Sequence, residues 1–336
     1  MLLSRSVCWG RPRWHSSGAM SERVDWAVEA TALEKRYGAV RALAGLDLRV
    51  AEGLVYGVIG PNGAGKTTLL GILSGFLRPG AGVVRVFGRQ LPQRRKDLLG
   101  RIGVLPQGAR LPGHESVSRF LVDCARLLAL TPDLAKEAAH EALLKTGMRD
   151  EAGARIGTLS HGQARRVGLA QAFLGEPELV LLDEPTDGLD PRAAALVRRT
   201  IDALSGRSTI LVSSHNLAEL ESLCDRAAIL RGGAVVDEGD MAVLTRSHAE
   251  VRFVLAGGWT QGTDREKVET LRQGIGDHGS VRAIDWTEGA DALVVSFDPN
   301  DIGTIPSLLR ILLDAGAPVL EVRRGRGLEA AVLDVT

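Results

Sequence analysis

Residues 55–70 read V-Y-G-V-I-G-P-N-G-A-G-K-T-T-L-L, and no other stretch constrains the chain as much. Gly60 through Thr67 satisfies the spacing G-x-x-x-x-G-K-[ST], with an apolar strand before it and an apolar helix start after it. Gly60, Gly63 and Gly65 let the backbone N–H groups turn inward around phosphate oxygens. The helix start at Lys66–Thr68 adds the partial positive charge of its unsatisfied N–H groups. The nine residues Gly60, Pro61, Asn62, Gly63, Ala64, Gly65, Lys66, Thr67 and Thr68 are therefore the candidate phosphate cradle. Lys66 is placed to reach the β- and γ-phosphates of a nucleotide, and the Thr67 hydroxyl to sit on Mg²⁺.

The loop stands inside an alternation of short apolar strands and helical patterns, which predicts a mixed sheet with crossover helices. Strands are expected at Ala27–Leu33, Leu46–Val50, Val55–Ile59, Val83–Phe87, Ile102–Leu105, Leu179–Leu182, Ile210–Ser213 and Ala227–Leu230. Val117, Phe120, Leu121, Cys124, Leu127 and Leu128 recur at helical spacing. Thr131-Pro132-Asp133 then reads as an N-cap with proline at the first helical position. Two successive helices, over 115–130 and 132–146, thus form an inserted helical subdomain of about 108–165. After residue 246 the pattern restarts, with strands expected at 250–255, 281–286, 291–297 and 318–323 and helices at 265–275 and 305–314. The fold class expected is α/β: a mixed-sheet core with an antiparallel β subdomain, the helical insert, and a small α+β domain over 246–336. The main domain is expected over 20–245. Residues 1–19 carry Arg5, Arg11 and Arg13 and no acid, and they read as a disordered tail or a start set too early.

A second chemical signal is L-V-L-L-D-E at 179–184, a buried strand ending in two carboxylates. At the carboxyl edge of a sheet beside a phosphate loop, an Asp183 oxygen suits Mg²⁺ and Glu184 is the candidate general base for an attacking water. Composition narrows the partners. Lys plus Arg number 41 and Asp plus Glu 41, so net charge is zero. That argues against a protein held to nucleic acid by phosphate contacts. Cys8, Cys124 and Cys224 lie far apart with no C-x-x-C, which indicates neither a disulfide framework nor a zinc site. No apolar run approaches the roughly 18–20 residues that span a bilayer.

Other segments fall in order around these two. L-S-H-G-Q stands at 159–163, D-E-P-T-D-G-L-D runs to Asp190, Gln107 follows V-L-P, Tyr37 sits in K-R-Y-G, and His215 ends I-L-V-S-S-H. Over about 26–245 this ordered set resembles the nucleotide-binding subunit of an ATP-binding-cassette (ABC) transporter. The resemblance implies that Tyr37 stacks on adenine, and that Gln107 touches Mg²⁺ and senses a membrane partner. It implies that Ser160 and Gly162 contact the γ-phosphate held by an opposite subunit, that Asp190 lies in the loop crossing the dimer interface, and that His215 is a switch near the γ-phosphate. Ser160–Gln163 precedes a helical pattern, so it is itself a helix start that suits an anion. One departure is His161, where the family usually has glycine; with Ser160 and Gly162 present, a working site is still expected.

The resemblance implies an Mg·ATP hydrolase that dimerises head to tail, a homodimer for preference. A single cassette without a span implies an integral permease on another chain and a peripheral place at the cytoplasmic face of the membrane. The chain's end, L-E-A-A-V-L-D-V-T, resembles the tail of bacterial ATPases that export drugs, lipids or polysaccharides. An importer-type subunit and a soluble non-transport cassette are the alternatives. A dead regulatory module would lack Lys66, Asp183, Glu184 or His215, and all four are present.

Overall fold

The computed structural model describes residues 25–108, 110–214, 217–246, 250–256, 265–286, 292–297 and 303–324. Residues 1–19, His215 and the closing L-E-A-A-V-L-D-V-T lie outside the described residues.

The described residues open with a long hairpin, β1 (Trp26–Tyr37) and β2 (Val40–Ala51), closed at Gly38, whose φ of +58° suits a residue without Cβ. Next come β3 (Val55–Ile59), α1 (Lys66–Leu73), β4 (Ala81–Val86) and β5 (Arg89–Leu91). β1, β2, β4 and β5 form an antiparallel sheet in the order β2-β1-β4-β5. β6 (Ile102–Leu105) leads into the helices α2 (Val117–Leu127), α3 (Pro132–Lys145) and α4 (His161–Ala172). Then come β7 (Leu179–Asp183), α5 (Pro191–Leu204), β8 (Thr209–Ser213), α6 (Leu217–Leu223), β9 (Arg226–Arg231), β10 (Ala234–Asp240) and α7 (Met241–Arg246). The second sheet has the order β10-β9-β3-β8-β7-β6. Its strands β9, β3, β8, β7 and β6 are parallel, and β10 is an antiparallel edge.

β3, β7 and β8 are buried at every position, as expected for parallel strands covered on both faces. One face packs Tyr56, Leu181 and Leu211 with α1 residues Leu69 and Leu73 and with the antiparallel sheet through Leu33, Leu46 and Val84. The other face packs Ile59, Leu182 and Val212 against Val197 and Ile201 of α5 and Leu220 of α6. A separate apolar cluster holds the helical insert: Val117 and Leu121 of α2, Ala135 and Ala139 of α3, and Val167 and Ala170 of α4. The last sheet is built from β11 (Glu250–Leu255), β12 (Val281–Trp286), β13 (Ala292–Phe297) and β14 (Val319–Arg324) with helices α8 (Arg265–Gly276) and α9 (Thr304–Asp314). Its order is β12-β13-β11-β14, every pair antiparallel. Phe253, Val295 and Phe297 pack there against Leu271, Ile275, Leu308 and Leu312.

Several elements depart from the sequence expectation. β1 runs on to Tyr37 and β2 begins at Val40 instead of Leu46, because each ladder partner extends the other past the end of its apolar run. β10 carries no sequence expectation: none of its residues is buried, Asp237–Asp240 reads as a loop, and pairing with β9 fixes the edge strand. Thr131 does occupy the N-cap of α3, but its side chain makes no capping hydrogen bond. Among the described residues, no helix is long and apolar enough to cross a membrane.

Candidate active site

The site grows from strand register. Ser213 pairs across the parallel sheet with Val58 on one side and Asp183 on the other, and Leu105 pairs with Leu182. Four neighbouring strands therefore leave the sheet at one edge. Beyond their ends lie the glycine loop after Ile59, the Pro106–Gln107 segment, the Asp183–Glu184 turn and Ser213–Ser214. Ligands of open parallel sheets bind outside this carboxyl edge.

The glycine loop is cramped against its neighbours. A Cβ on Gly60 would lie 2.4 Å from Leu230 O, and one on Gly65 would lie 2.5 Å from Ala42 O. Gly65, at φ +106°, is also the N-cap of α1, which therefore opens with no side-chain cap. Its first N–H groups are left to a ligand. Lys66 is 7% exposed, and its Nζ donates to Gly60 O at 2.6 Å and Pro61 O at 3.2 Å. Burial holds the ammonium below the usual lysine range, while the carboxylates of Glu184 and Asp183 pull it back up.

Across the loop, the Thr67 hydroxyl donates to Gln107 Oε1 at 3.4 Å. Asp183 is buried, and Ser213 Oγ donates to its Oδ1. Thr67, Gln107 and Asp183 offer hard oxygen donors of the type Mg²⁺ takes. Among the described residues no cluster of three His, Cys, Asp or Glu side chains stands ready for a metal. Mg²⁺ is commonly held by one or two carboxylates together with substrate phosphates and water, and Asp183 offers such a carboxylate. The residues present therefore fit a magnesium nucleotide.

Glu184 is 6% exposed with its backbone at φ +52°, and its N–H donates to Ser213 O at 3.1 Å and Ser213 Oγ at 3.2 Å. Thr186 Oγ1 then donates to Glu219 Oε2 at 2.6 Å, tying the turn to α6.

The helix α4 opens with a full capping box. Gln163 N donates to Ser160 Oγ at 3.2 Å, and Ser160 N donates to Gln163 Oε1 at 3.0 Å. Gln163 Nε2 donates onward to Glu151 Oε1 at 3.1 Å. Ser160 and Gln163 thus bond to each other and to the insert rather than to the glycine loop. Gly162 lies close to Leu189, and the His161 ring lies against Gly188. Asp190 caps α5, accepting from Arg192 N at 2.9 Å and Ala193 N at 3.0 Å. Those backbone donors lower its pKa, the Ala193 N–H above all. Tyr37 ends β1 with its ring half exposed and Lys35 Nζ 5.4 Å from the ring centroid.

Two residues that matter here carried no expectation. Ser213 joins Asp183 to Glu184, and Arg165 donates to the carbonyls of Asp183 and Glu184. A polar residue closing a buried strand, and an arginine on the inward side of a helix, were the available signals.

A model of the ABC transporter family matches residues 43–187. The daunorubicin resistance ATP-binding protein DrrA3 of Streptomyces coeruleorubidus is 41% identical over 216 residues, covering 64% of this chain and 68% of that protein. The Nod factor export ATP-binding protein I of Rhizobium meliloti is 36% identical over 312 residues, 92% of this chain and 88% of that protein. The solved structure of cbiO1 from Clostridium perfringens, part of the ABC transporter complex cbiONQ, is 26% identical with a TM-score of 0.58, covering 65% of this chain and 89% of that one.

Proposed function

The chain belongs to the ABC transporter family, and from that membership we propose that it is the ATP-hydrolysing subunit of an exporter. The observation that carries this reading is the convergence of Lys66, Gln107, Asp183 and Glu184 at one edge of the parallel sheet. Relatives named for daunorubicin resistance and Nod factor export support the outward direction. A permease on another chain supplies the membrane path, and this chain works beside it at the cytoplasmic face, paired with a second copy.

In this reading the triphosphate lies along the glycine loop, with Tyr37 against the adenine. Lys66 exchanges the carbonyls of Gly60 and Pro61 for β- and γ-phosphate oxygens, a charge-assisted pairing. Thr67, Gln107 and Asp183 would hold Mg²⁺, which when bound neutralises charge on the phosphates. The Ser160 helix start of one copy closes over the nucleotide of the other, bringing the N–H groups near Gly162 and Gln163 to the γ-phosphate. Glu184 accepts a proton from water as the water oxygen bonds to the γ-phosphorus and the bond to the β,γ-bridging oxygen breaks. The products, ADP and phosphate, no longer bridge the two subunits, so the dimer opens. His215 is assigned to the γ-phosphate by the family pattern.

Glu184→Gln tests the assignment of the base. The variant should bind ATP as the wild type does, elute as an ATP-stabilised dimer, and turn over roughly 10²–10⁴-fold more slowly. Full turnover in this variant would remove Glu184 as the base. Co-purification from membranes with an integral subunit tests the transport assignment, and purification without one would favour a soluble cassette.

A further inference from the structure

Arg165 stands in the second turn of α4, buried between two segments of the sheet edge. Its Nη1 donates to Pro106 O at 3.1 Å. Its Nη2 donates to Asp183 O and to Glu184 O, the latter at 2.7 Å. Pro106 directly precedes Gln107. One side chain thus grips the backbone beside the candidate metal ligand, the candidate base and the candidate sensor of the membrane partner.

A guanidinium is a costly way to fill this space. Arg165 is 9% exposed, and its Nε has no hydrogen-bond partner among the described residues. Burial lowers its pKa, with Asp183, Asp187 and Glu184 opposing that shift. An apolar side chain would pack there without desolvating a charge. What only arginine supplies is a rigid planar fork whose donors fix the spacing of several acceptors at once.

A second contact lies one turn earlier. The His161 ring rests on Gly188, where an added Cβ would fall 2.7 Å from His161 Cδ2. Positions 161 and 165 are neighbours on a helix face, and both meet the turn after β7. The same helix begins at the capped Ser160, so one rigid element joins an anion-facing start to the turn carrying Glu184.

We propose that Arg165 is a positioning residue that couples the start of α4 to the Glu184 turn and the Gln107 segment. A nucleotide seated on α4 by the neighbouring subunit then sets the hydrolytic groups of this subunit. The inference rests on the ATPase reading and specifies how each half of the dimer informs its own base.

The test compares the full-length wild type with Arg165→Lys and Arg165→Gln. Lysine keeps the charge and loses the fork; glutamine keeps two donors and loses the reach. Three quantities are read: affinity for trinitrophenyl-ATP, kcat for ATP, and melting temperature. A residue that acts only after binding predicts affinity within about twofold of wild type and kcat lower by at least about tenfold. Unchanged kcat in Arg165→Lys would overturn the proposal. So would a loss of kcat matched by equal losses of affinity or of folded protein in both variants. A wild type that binds no ATP or hydrolyses none would instead sink the ATPase reading beneath it.

Discussion

Glu184 occupies a left-handed backbone conformation that few residues with a Cβ adopt. Such a conformation costs on the order of 1–3 kcal/mol and persists only where the surroundings impose it. Here Ser213 receives its N–H and Arg165 holds its carbonyl. Those two supports left only faint signals in the sequence, because they act on backbone groups that every residue carries. Lys66 and Thr67 stood out as candidates because the glycine motif sets their spacing, and Asp183 because it ends an apolar run. Lys66→Ala should weaken ATP binding by roughly 10–100-fold, the equivalent of one charge-assisted hydrogen bond, in a nucleotide titration. Proton linkage gives an independent check. Burial lowers the Lys66 pKa below its ordinary 10.5, so part of the ammonium has lost its proton in the alkaline window just below that value. Phosphate oxygens favour the charged form, so ATP binding there should take up a proton, and the uptake should shrink as the pH is lowered. Calorimetry in two buffers of different ionisation heat reads that uptake directly, and Lys66→Ala should abolish it.

At the scale of elements, helix starts divide the labour. α1 opens on Gly65 without a side-chain cap, whereas α4 opens on a complete Ser160–Gln163 box. The first is thereby left for phosphate to complete, and the second is rigid before any ligand arrives. Ser160→Ala should lower stability by about 1 kcal/mol through loss of the cap. It should also weaken the ATP-dependent dimer while leaving nucleotide affinity of the single chain unchanged, a pair of results that thermal melting and size-exclusion runs separate. Elements with apolar runs, such as β3, β7 and β8, could be read directly from the sequence. β10 could not, since its apolar start Ala234–Val236 is short, none of its residues is buried, and only the ladder with β9 makes it a strand. His161 was readable as a departure from the family pattern, but its contact with Gly188 arises from a helix start and a distant turn meeting in space.

For the whole molecule, the cores are the useful unit. The last sheet packs on its own two helices through Phe253, Phe297, Leu271 and Leu308. A chain ending at residue 245 should therefore remain soluble and bind ATP with affinity within about threefold of the full chain, on the ground that independent cores fold independently. An insoluble product would show instead that the two regions share a core. The strand–helix alternation and the helical insert were legible from periodicity, while the antiparallel pairing of the first sheet and the order of strands required the ladders. The separate apolar cluster of the insert carries one more consequence. α4 packs on β6 as well as on α2 and α3, whereas α2 and α3 bury their apolar faces within the insert. In native-state hydrogen exchange, α2 and α3 should form a foldon that opens at lower free energy than the parallel strands. The amides of α4 should exchange with the strands, and addition of ATP should slow α4 before it slows its neighbours.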